Sequence, residues 1–259
     1  MSSRRGLWSD ARRRLRRDRA ARTALVLLVG MALAALIAPV FSPWSYDTLD
    51  WQHLARPPGT AAAHWLGTDR LGRDLLVRTL YGVRLSLVLA ILASAVSLLI
   101  GVLWGAVAGL AGGRIDGAMM RFVDVLYSLP YLFVVIILTT LFTRGSLIVL
   151  ALALAAVGWL TTARIVRTQT LALKRREFLE AARALGVPQM ILFESFLSFL
   201  GLGVQEPQAS LGNLILAGAQ EMESAPWMLL VPAAALVLLL LSLNLLGDGL
   251  RDALDPRER

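Results

Sequence analysis

One uninterrupted apolar stretch decides the fold: residues 85–110, which have the sequence LSLVLAILASAVSLLIGVLWGAVAGL. None of its residues carries a charge, and apolar side chains would cover every face of the helix that it forms. A bilayer core about 30 Å thick is crossed by about 20 such residues in an α-helix. Four further stretches meet this length without a charged residue: 23–41, 125–143, 145–163 and 224–247. Together the five stretches predict an all-α integral membrane protein.

The composition supports this class and excludes others. Of the 259 residues, 57% are hydrophobic and 17% are charged, whereas an average soluble domain has about 25% charged residues. The chain has no cysteine, which excludes disulfide scaffolds and thiolate chemistry. Because only two histidines occur, His53 and His64, the sequence predicts neither a metal site nor a catalytic triad.

A sixth candidate crossing is weaker than these five. Residues 187–204 (VPQMILFESFLSFLGLGV) contain Pro188 and Glu194, and they reach only about 27 Å as a helix. A re-entrant or interfacial segment is the alternative. The loop charges favour a crossing, because six spans with both termini inside place 20 of the 26 Lys and Arg residues in the cytoplasm. The basic tail, residues 1–22, is then a cytoplasmic segment beside anionic lipid.

The loop of residues 164–186 has the pattern of a short amphipathic helix. Phe178, Ala182 and Leu185 share one face at helical spacing, and Gly186 followed by Pro188 suits a helix end. Its small alanines would let another backbone approach closely. From the residues alone, a helix lying on the membrane surface and a helix that docks on a partner both stay open.

Two further polar features need an explanation. Before the second span, Asp69, Arg70, Arg73 and Asp74 alternate in charge. They predict either a solvated amphipathic helix at the outer interface or a gate or contact surface for another protein. Glu194 is the one acid inside a predicted crossing, where carboxylates usually face a bundle interior or a wet cavity. A pathway role and a paired structural role both fit it.

Four ordered motifs give the chain a family resemblance. Glu180-Ala181-Ala182, with Gly186 four residues later, resembles the EAA loop of bacterial ABC-importer permeases. Residues 64–74 (HWLGTDRLGRD) with 82–87 (GVRLSL) are similar to a signature of peptide-importer permeases, and residues 197–203 and 244–256 match it too. From about residue 23 onward, the chain resembles the dipeptide/oligopeptide/nickel permease family, as its C-type, second transmembrane subunit.

The resemblance implies a type I ABC importer permease: a six-helix transmembrane bundle over residues 23–259, with a short fifth span. Its partners would be a homologous permease, two cytoplasmic ATPases and an extracytoplasmic substrate-binding protein, all at the bacterial cell (inner) membrane. The chain would be a transport subunit and not an enzyme, and ATP hydrolysis would occur in a partner, because this chain has no G-x-x-x-x-G-K-[ST] phosphate loop. No cofactor is expected, and oligopeptides or dipeptides are the expected substrates.

The resemblance also assigns site residues. The helix that couples to the ATPase would comprise Phe178, Leu179, Glu180, Ala181, Ala182 and Gly186. The periplasmic motif would comprise Gly67, Thr68, Asp69, Gly72, Arg73 and Asp74. Glu194, just before the SFLGLG stretch, is the candidate pathway residue.

The chain departs from the family directly after the EAA motif. Gly186 is followed almost at once by Pro188, so the back of the coupling loop and the front of the fifth span are missing. Either the chain folds with a short, tilted or locally thinned crossing, or it is a non-functional, truncated variant of a permease. A secondary transporter or channel is the rival function, although Glu194 alone offers little for an ion relay.

Overall fold

The computed structural model describes residues 18–60, 64–142, 146–173, 187–205 and 207–254. Within these ranges the chain forms eight helices: α1 (Arg19–Phe41), α2 (Leu75–Ala111), α3 (Gly113–Ser128), α4 (Tyr131–Leu141), α5 (Leu147–Leu173), α6 (Val187–Phe199), α7 (Leu211–Gln220) and α8 (Trp227–Leu254). The described residues contain no β-strand, only an isolated bridge between Thr68 and Asp74. The predicted all-α class is confirmed.

Four helices are long and apolar enough to cross a membrane singly: α1, α2, α5 and α8. They contain or overlap four of the five apolar stretches found in the sequence. Helices α3 and α4 pass the same test as a pair, which makes up to five crossings among the described residues. The count of six crossings stays a prediction.

The fifth apolar stretch, residues 125–143, is not one straight helix. Helix α3 ends at Ser128, α4 begins at Tyr131, and their axes differ by 81°. Pro130 explains the break, because a proline disfavours helical backbone in the residue before it. Leu129 accordingly has extended dihedrals, φ −73° and ψ 134°.

The weak sixth candidate forms a shorter helix than residues 187–204 would allow. Helix α6 ends at Phe199 after 13 residues, which is about 20 Å. The chain then turns through Gly201 at φ +75°, a conformation that favours glycine, and the Leu202 N–H donates to the Leu197 carbonyl. The helix alone therefore covers less than a bilayer core.

A seam of glycines joins α2 to α5. Every fourth residue on one face of α2 is a glycine: Gly101, Gly105 and Gly109. A Cβ on the first would overlap the Thr162 side chain, and a Cβ on the second would overlap the Ala163 carbonyl. Small residues at this spacing let two helix backbones approach closely, as is common in membranes. Because the contacted residues advance in step on both helices, α2 and α5 run parallel.

The helix bundle has two distinct ends. At the terminus end, Gly249 of α8 lies against Ala21 of α1. At the opposite end, called the motif end, the Trp227 indole at the start of α8 donates to the Thr68 carbonyl at 3.4 Å. Helix α2 also starts at the motif end and α5 runs parallel to it, so Leu173 lies at the terminus end.

Candidate functional site

The motif loop, residues 64–74, is folded and largely buried. Three of its four charged residues, Asp69, Arg73 and Asp74, are less than a tenth exposed, whereas Arg70 is exposed and pairs with Glu221. Helix α2 begins only at Leu75. The solvated amphipathic helix that charge alternation suggested for this segment is therefore wrong. Two glycines at positive φ interrupt any helix here, because this backbone region is left-handed.

Those glycines let the motif loop pack against the loop before it. Gly67 and Gly72 have φ values of +82° and +76°. A Cβ on Gly72 would overlap the carbonyl of Asp50, and one on Gly67 would overlap that of Arg56. The Thr68 N–H donates to the same Arg56 carbonyl at 3.0 Å. Both motif glycines are thus required by close backbone approach as well as by φ.

Asp69 is the centre of the charge network in this loop. Its Oδ2 accepts from Arg73 Nε at 2.6 Å, and its Oδ1 accepts from the Leu71 and Arg73 N–H groups, each at 2.9 Å. Arg78 of α2 places its Nε 3.6 Å from the same carboxylate, and its Nη1 donates to the Tyr46 carbonyl at 2.9 Å. Two cations and one buried carboxylate therefore tie the motif loop to the first turn of α2.

Asp74 joins the end of the loop to a buried histidine. Its Oδ1 caps α2 by accepting from the Val77 N–H at 2.8 Å. Its Oδ2 accepts from Nδ1 of His64 at 2.9 Å. The His64 ring is fully buried and packs against Trp44 with ring centroids 4.5 Å apart.

Asp50 brings the second histidine to the first. Its Oδ2 lies 2.9 Å from His53 Nδ1 and 3.4 Å from His64 Nε2. The hydrogen bond from His53 lowers the pKa of the Asp50 carboxyl to about 2. The sequence alone does not predict this cluster, because only the folded loop brings the three residues together. The one available signal was that both histidines lie between the same two spans.

Glu194 on α6 sits in a cluster of serine hydroxyls. Ser86 of α2 donates to its Oε2 at 2.6 Å, and Ser198 donates to its Oε1 at 2.8 Å. Ser195 lies 3.4 Å from Oε2, and Ser210 faces the same carboxylate. The Glu194 side chain is fully buried, and the hydroxyls satisfy a polar group that would otherwise be costly at this depth.

A cavity of about 430 Å³ lies at the bend between α3 and α4. Apolar and aromatic residues dominate its lining, which includes Pro130, Tyr131, Met190 and Phe193 but not Glu194. The Tyr131 and Phe193 rings are in contact, with centroids 4.6 Å apart. The geometry of the described residues thus separates the buried carboxylate from this cavity.

Ion pairs link α5 to α3 towards the terminus end. Arg167 binds Asp116 through two parallel hydrogen bonds, each 2.6 Å long. One turn earlier, Arg164 Nη2 donates to Asp124 at 2.6 Å and lies over the Tyr127 ring. Bidentate pairs fix geometry as well as contributing energy, so α3 is held to the last turns of α5.

The residues assigned to ATPase coupling lie outside the described residues: Phe178, Leu179, Glu180, Ala181, Ala182 and Gly186. Their role stays a prediction. The described chain does locate the two points between which they lie. Helix α5 ends at the terminus end, and the first turn of α6 places Met190 beside Gly158 of α5.

The chain matches two protein families. Residues 97–193 match the family described as "Binding-protein-dependent transport system inner membrane component". Residues 6–58 match the "N-terminal TM domain of oligopeptide transport permease C". The first match covers the glycine seam and ends one residue before Glu194, and the second covers α1 and the cluster residues Asp50 and His53.

Full-length relatives agree with these matches. The oligopeptide transport system permease protein OppC of Haemophilus influenzae is 44% identical, over 98% of this chain and 90% of its own length. OppC of Escherichia coli K12 is 46% identical, over 98% and 93% of the two chains. The dipeptide transport system permease protein DppC of Bacillus subtilis is 43% identical, over 96% and 86%.

These similarities and the apolar helices describe a multi-pass membrane protein that acts as a transport subunit. The motif loop, the buried glutamate and the glycine seam all lie within the aligned length. The chain belongs to the family of binding-protein-dependent ABC importer permeases, as a C-type subunit of the oligopeptide and dipeptide permease group.

Proposed function

We propose that this chain forms half of the translocation pathway of an ATP-driven importer for oligopeptides or dipeptides. The names of its relatives support this substrate class. Its partners are then a homologous permease, two cytoplasmic ATPases and an extracytoplasmic binding protein. The terminus end of the bundle faces the cytoplasm, which agrees with the excess of Lys and Arg residues in the loops assigned there.

The connection between α5 and α3 is the observation that carries the coupling mechanism. Helix α5 leads directly into the segment 174–186, which holds the EAA motif. Arg167 and Arg164 pass any movement of α5 to α3 through Asp116 and Asp124. The glycine seam passes the same movement to α2. A partner that pulls on the segment would thus move three helices, as rigid-body alternating access requires.

Labelling from outside intact cells tests the orientation, and the chain suits this method because it contains no cysteine. Arg175→Cys places a thiol in the coupling segment, and Thr60→Cys places one in the exposed loop at the motif end. We expect a membrane-impermeant maleimide to label only the second variant before lysis and both variants after it. Labelling of Arg175→Cys in intact cells would refute the proposed orientation.

Co-purification and uptake test the coupling itself. We expect the ATPase subunits to co-purify with the native chain and Glu180→Arg to abolish both their retention and ATP-dependent peptide uptake. Glu177→Arg makes the same charge change outside the motif and serves as the control. If Glu180→Arg leaves both measurements unchanged, the coupling assignment fails.

A specific observation favours a second candidate, a truncated variant that does not couple. The alignments to OppC extend over 281 positions, although this chain has only 259 residues, so at least 22 aligned positions have no residue here. From the level of Gly158 to Leu173, α5 rises about 22 Å, and a helix of the 13 residues 174–186 would span about 20 Å. If the segment is helical, its whole length is needed to return to the level of α6, which would leave few residues to dock on an ATPase.

Restoring a family-length insert after Val187 separates the two candidates. If the chain is a truncated variant, we expect peptide uptake by the reconstituted importer to appear only with the insert. Normal uptake by the native chain without an insert would eliminate the second candidate. An insert of equal length placed after Thr60, in the exposed loop, controls for a general effect of added chain.

A further inference from the structure

We propose that Asp50, His53 and His64 bind a divalent transition-metal ion, with Zn²⁺ as the best fit. The proposal is independent of the transport function. It also departs from the expectation, based on the small number of histidines, that the chain has no metal site. Two imidazoles and a carboxylate form a donor set that zinc proteins commonly use, with a fourth position left for water.

The spacing of the three donor atoms suits such an ion. Ligands about 2.0–2.1 Å from a tetrahedral Zn²⁺ lie about 3.3 Å from one another. Asp50 Oδ2 lies 2.9 Å from His53 Nδ1 and 3.4 Å from His64 Nε2. All three atoms lie within 4.8 Å of one another. The two distances from Asp50 thus fit already, and side-chain movements of at most about 1.5 Å between His53 and His64 would complete the coordination geometry.

Asp74 supplies the outer support that metal-binding histidines usually have. Its Oδ2 accepts a hydrogen bond from His64 Nδ1 at 2.9 Å, so that Nε2 is the ring nitrogen that faces Asp50. A carboxylate behind a histidine fixes both its tautomer and its orientation toward a metal. Asp74 is itself held in place, because its other oxygen caps helix α2.

Nε2 of the buried His64 lies 3.4 Å from the Asp50 carboxylate. A metal ion between the two would replace this contact by shared coordination. The cluster is also reachable: the His53 side chain is 39% exposed and that of Asp50 is 15% exposed, whereas His64 forms the buried floor. An ion could enter from the exposed side and keep a water ligand there.

The bound ion would cross-link the motif loop to the loop that precedes it. It would join residues 50–53 to His64, and through Asp74 to the first turn of α2. The Thr68 hydroxyl already donates to the carbonyl of His53, so the two loops are aligned before the ion binds. This pre-alignment lowers the ordering cost of binding.

Zinc titration of the purified full-length chain in detergent, carrying no polyhistidine tag, tests the proposal. We expect about one Zn²⁺ per chain, and at least a tenfold loss of affinity in His53→Gln and in Asp50→Asn. Asp47→Asn removes an exposed acid in the same loop and should bind as the native chain does. Co²⁺ in place of Zn²⁺ should give the intense visible absorption of a tetrahedral site in the native chain and in Asp47→Asn, but not in His53→Gln or Asp50→Asn.

Thermal unfolding keeps the test decisive. Without metal, both cluster variants should unfold near the native temperature, and Zn²⁺ should raise that temperature for the native chain and for Asp47→Asn but not for His53→Gln. Equal Zn²⁺ affinity in all variants, or no stoichiometric binding by a native chain that unfolds cooperatively, would overturn the proposal.

Discussion

Replacing Glu194 by alanine should destabilise the bundle strongly. The change removes the acceptor of the Ser86 and Ser198 hydroxyls, both fully buried. Each buried hydroxyl that loses its partner costs about 1–3 kcal/mol. The Ser198 hydroxyl keeps one contact, because it also accepts from the Val204 N–H, so we expect a total loss of about 2–4 kcal/mol. Glu194→Gln retains an acceptor oxygen and should cost less than about 1.5 kcal/mol.

Thermal unfolding in detergent measures this effect, and α2 offers a matched pair of serines. For a chain of this size, each kcal/mol corresponds to about 2–4 °C, so Glu194→Ala should lower the unfolding temperature by about 5–15 °C. Ser86→Ala removes a donor to the carboxylate and should lower it measurably. Ser94→Ala removes a buried hydroxyl that has no hydrogen-bond partner among the described residues and should leave it unchanged.

Two results would refute this reasoning. Equal unfolding temperatures for Ser86→Ala and Ser94→Ala would mean that the bond to Glu194 contributes nothing. A Glu194→Gln variant that folds normally but loses peptide uptake would instead assign the carboxylate a pathway role, against its burial and its absence from the cavity lining.

Three further substitutions test the packing and the charges. Gly105→Ala places a Cβ against the Ala163 carbonyl of α5 and should lower the free energy of unfolding by about 1–3 kcal/mol. Gly30→Ala is the control, because Gly30 has no neighbour within 4 Å, and it should be neutral or stabilising by up to about 1 kcal/mol. Gly72→Ala should prevent the motif loop from packing against the Asp50 carbonyl, and faster proteolysis of that loop would show this. Gly59→Ala is the control, because Gly59 has the same φ of +76° but no neighbour within 4 Å. It should cost only the backbone strain of about 1–2 kcal/mol. Arg167→Gln should lower the free energy of unfolding by about 1–2 kcal/mol. This is less than for a fully buried ion pair, because the arginine side chain is 32% exposed. The variant should also reduce ATP-dependent uptake by more than the stability loss explains.

The membrane class and most of the long helices could be predicted from the sequence. Long apolar runs have few alternatives to a helix in lipid. The stretch 85–110 therefore predicted most of α2 and lacked mainly its first ten residues, 75–84. The bend at Pro130 was not predicted, because the apolar composition continues across it. A criterion based on the length of an apolar run takes no account of one proline. The local backbone restriction that Pro130 imposes on Leu129 decided the break.

The motif loop shows a different limit. Asp69 and Arg73 are spaced as helical partners and do form an ion pair, but they form it within a loop. Gly67 and Gly72 prevent a helix here, because both have positive φ values. Their conformation also depends on packing against the loop that contains Asp50, which lies 22 residues before Gly72 in the sequence. The same long-range contact brings His53 and His64 together, so no local pattern could have predicted that cluster.

Helix α2 is longer than a bilayer is thick, and this length gives it a second role. Its 37 residues extend about 55 Å, so about 25 Å of it projects beyond a hydrocarbon core of about 30 Å. The motif loop is fastened to one tip of this rod, and the glycine seam clamps the other half to α5. A protein that binds at the motif-loop tip of α2 would therefore tilt α5 as well, and by reciprocity a movement of α5 would alter how tightly that protein is bound.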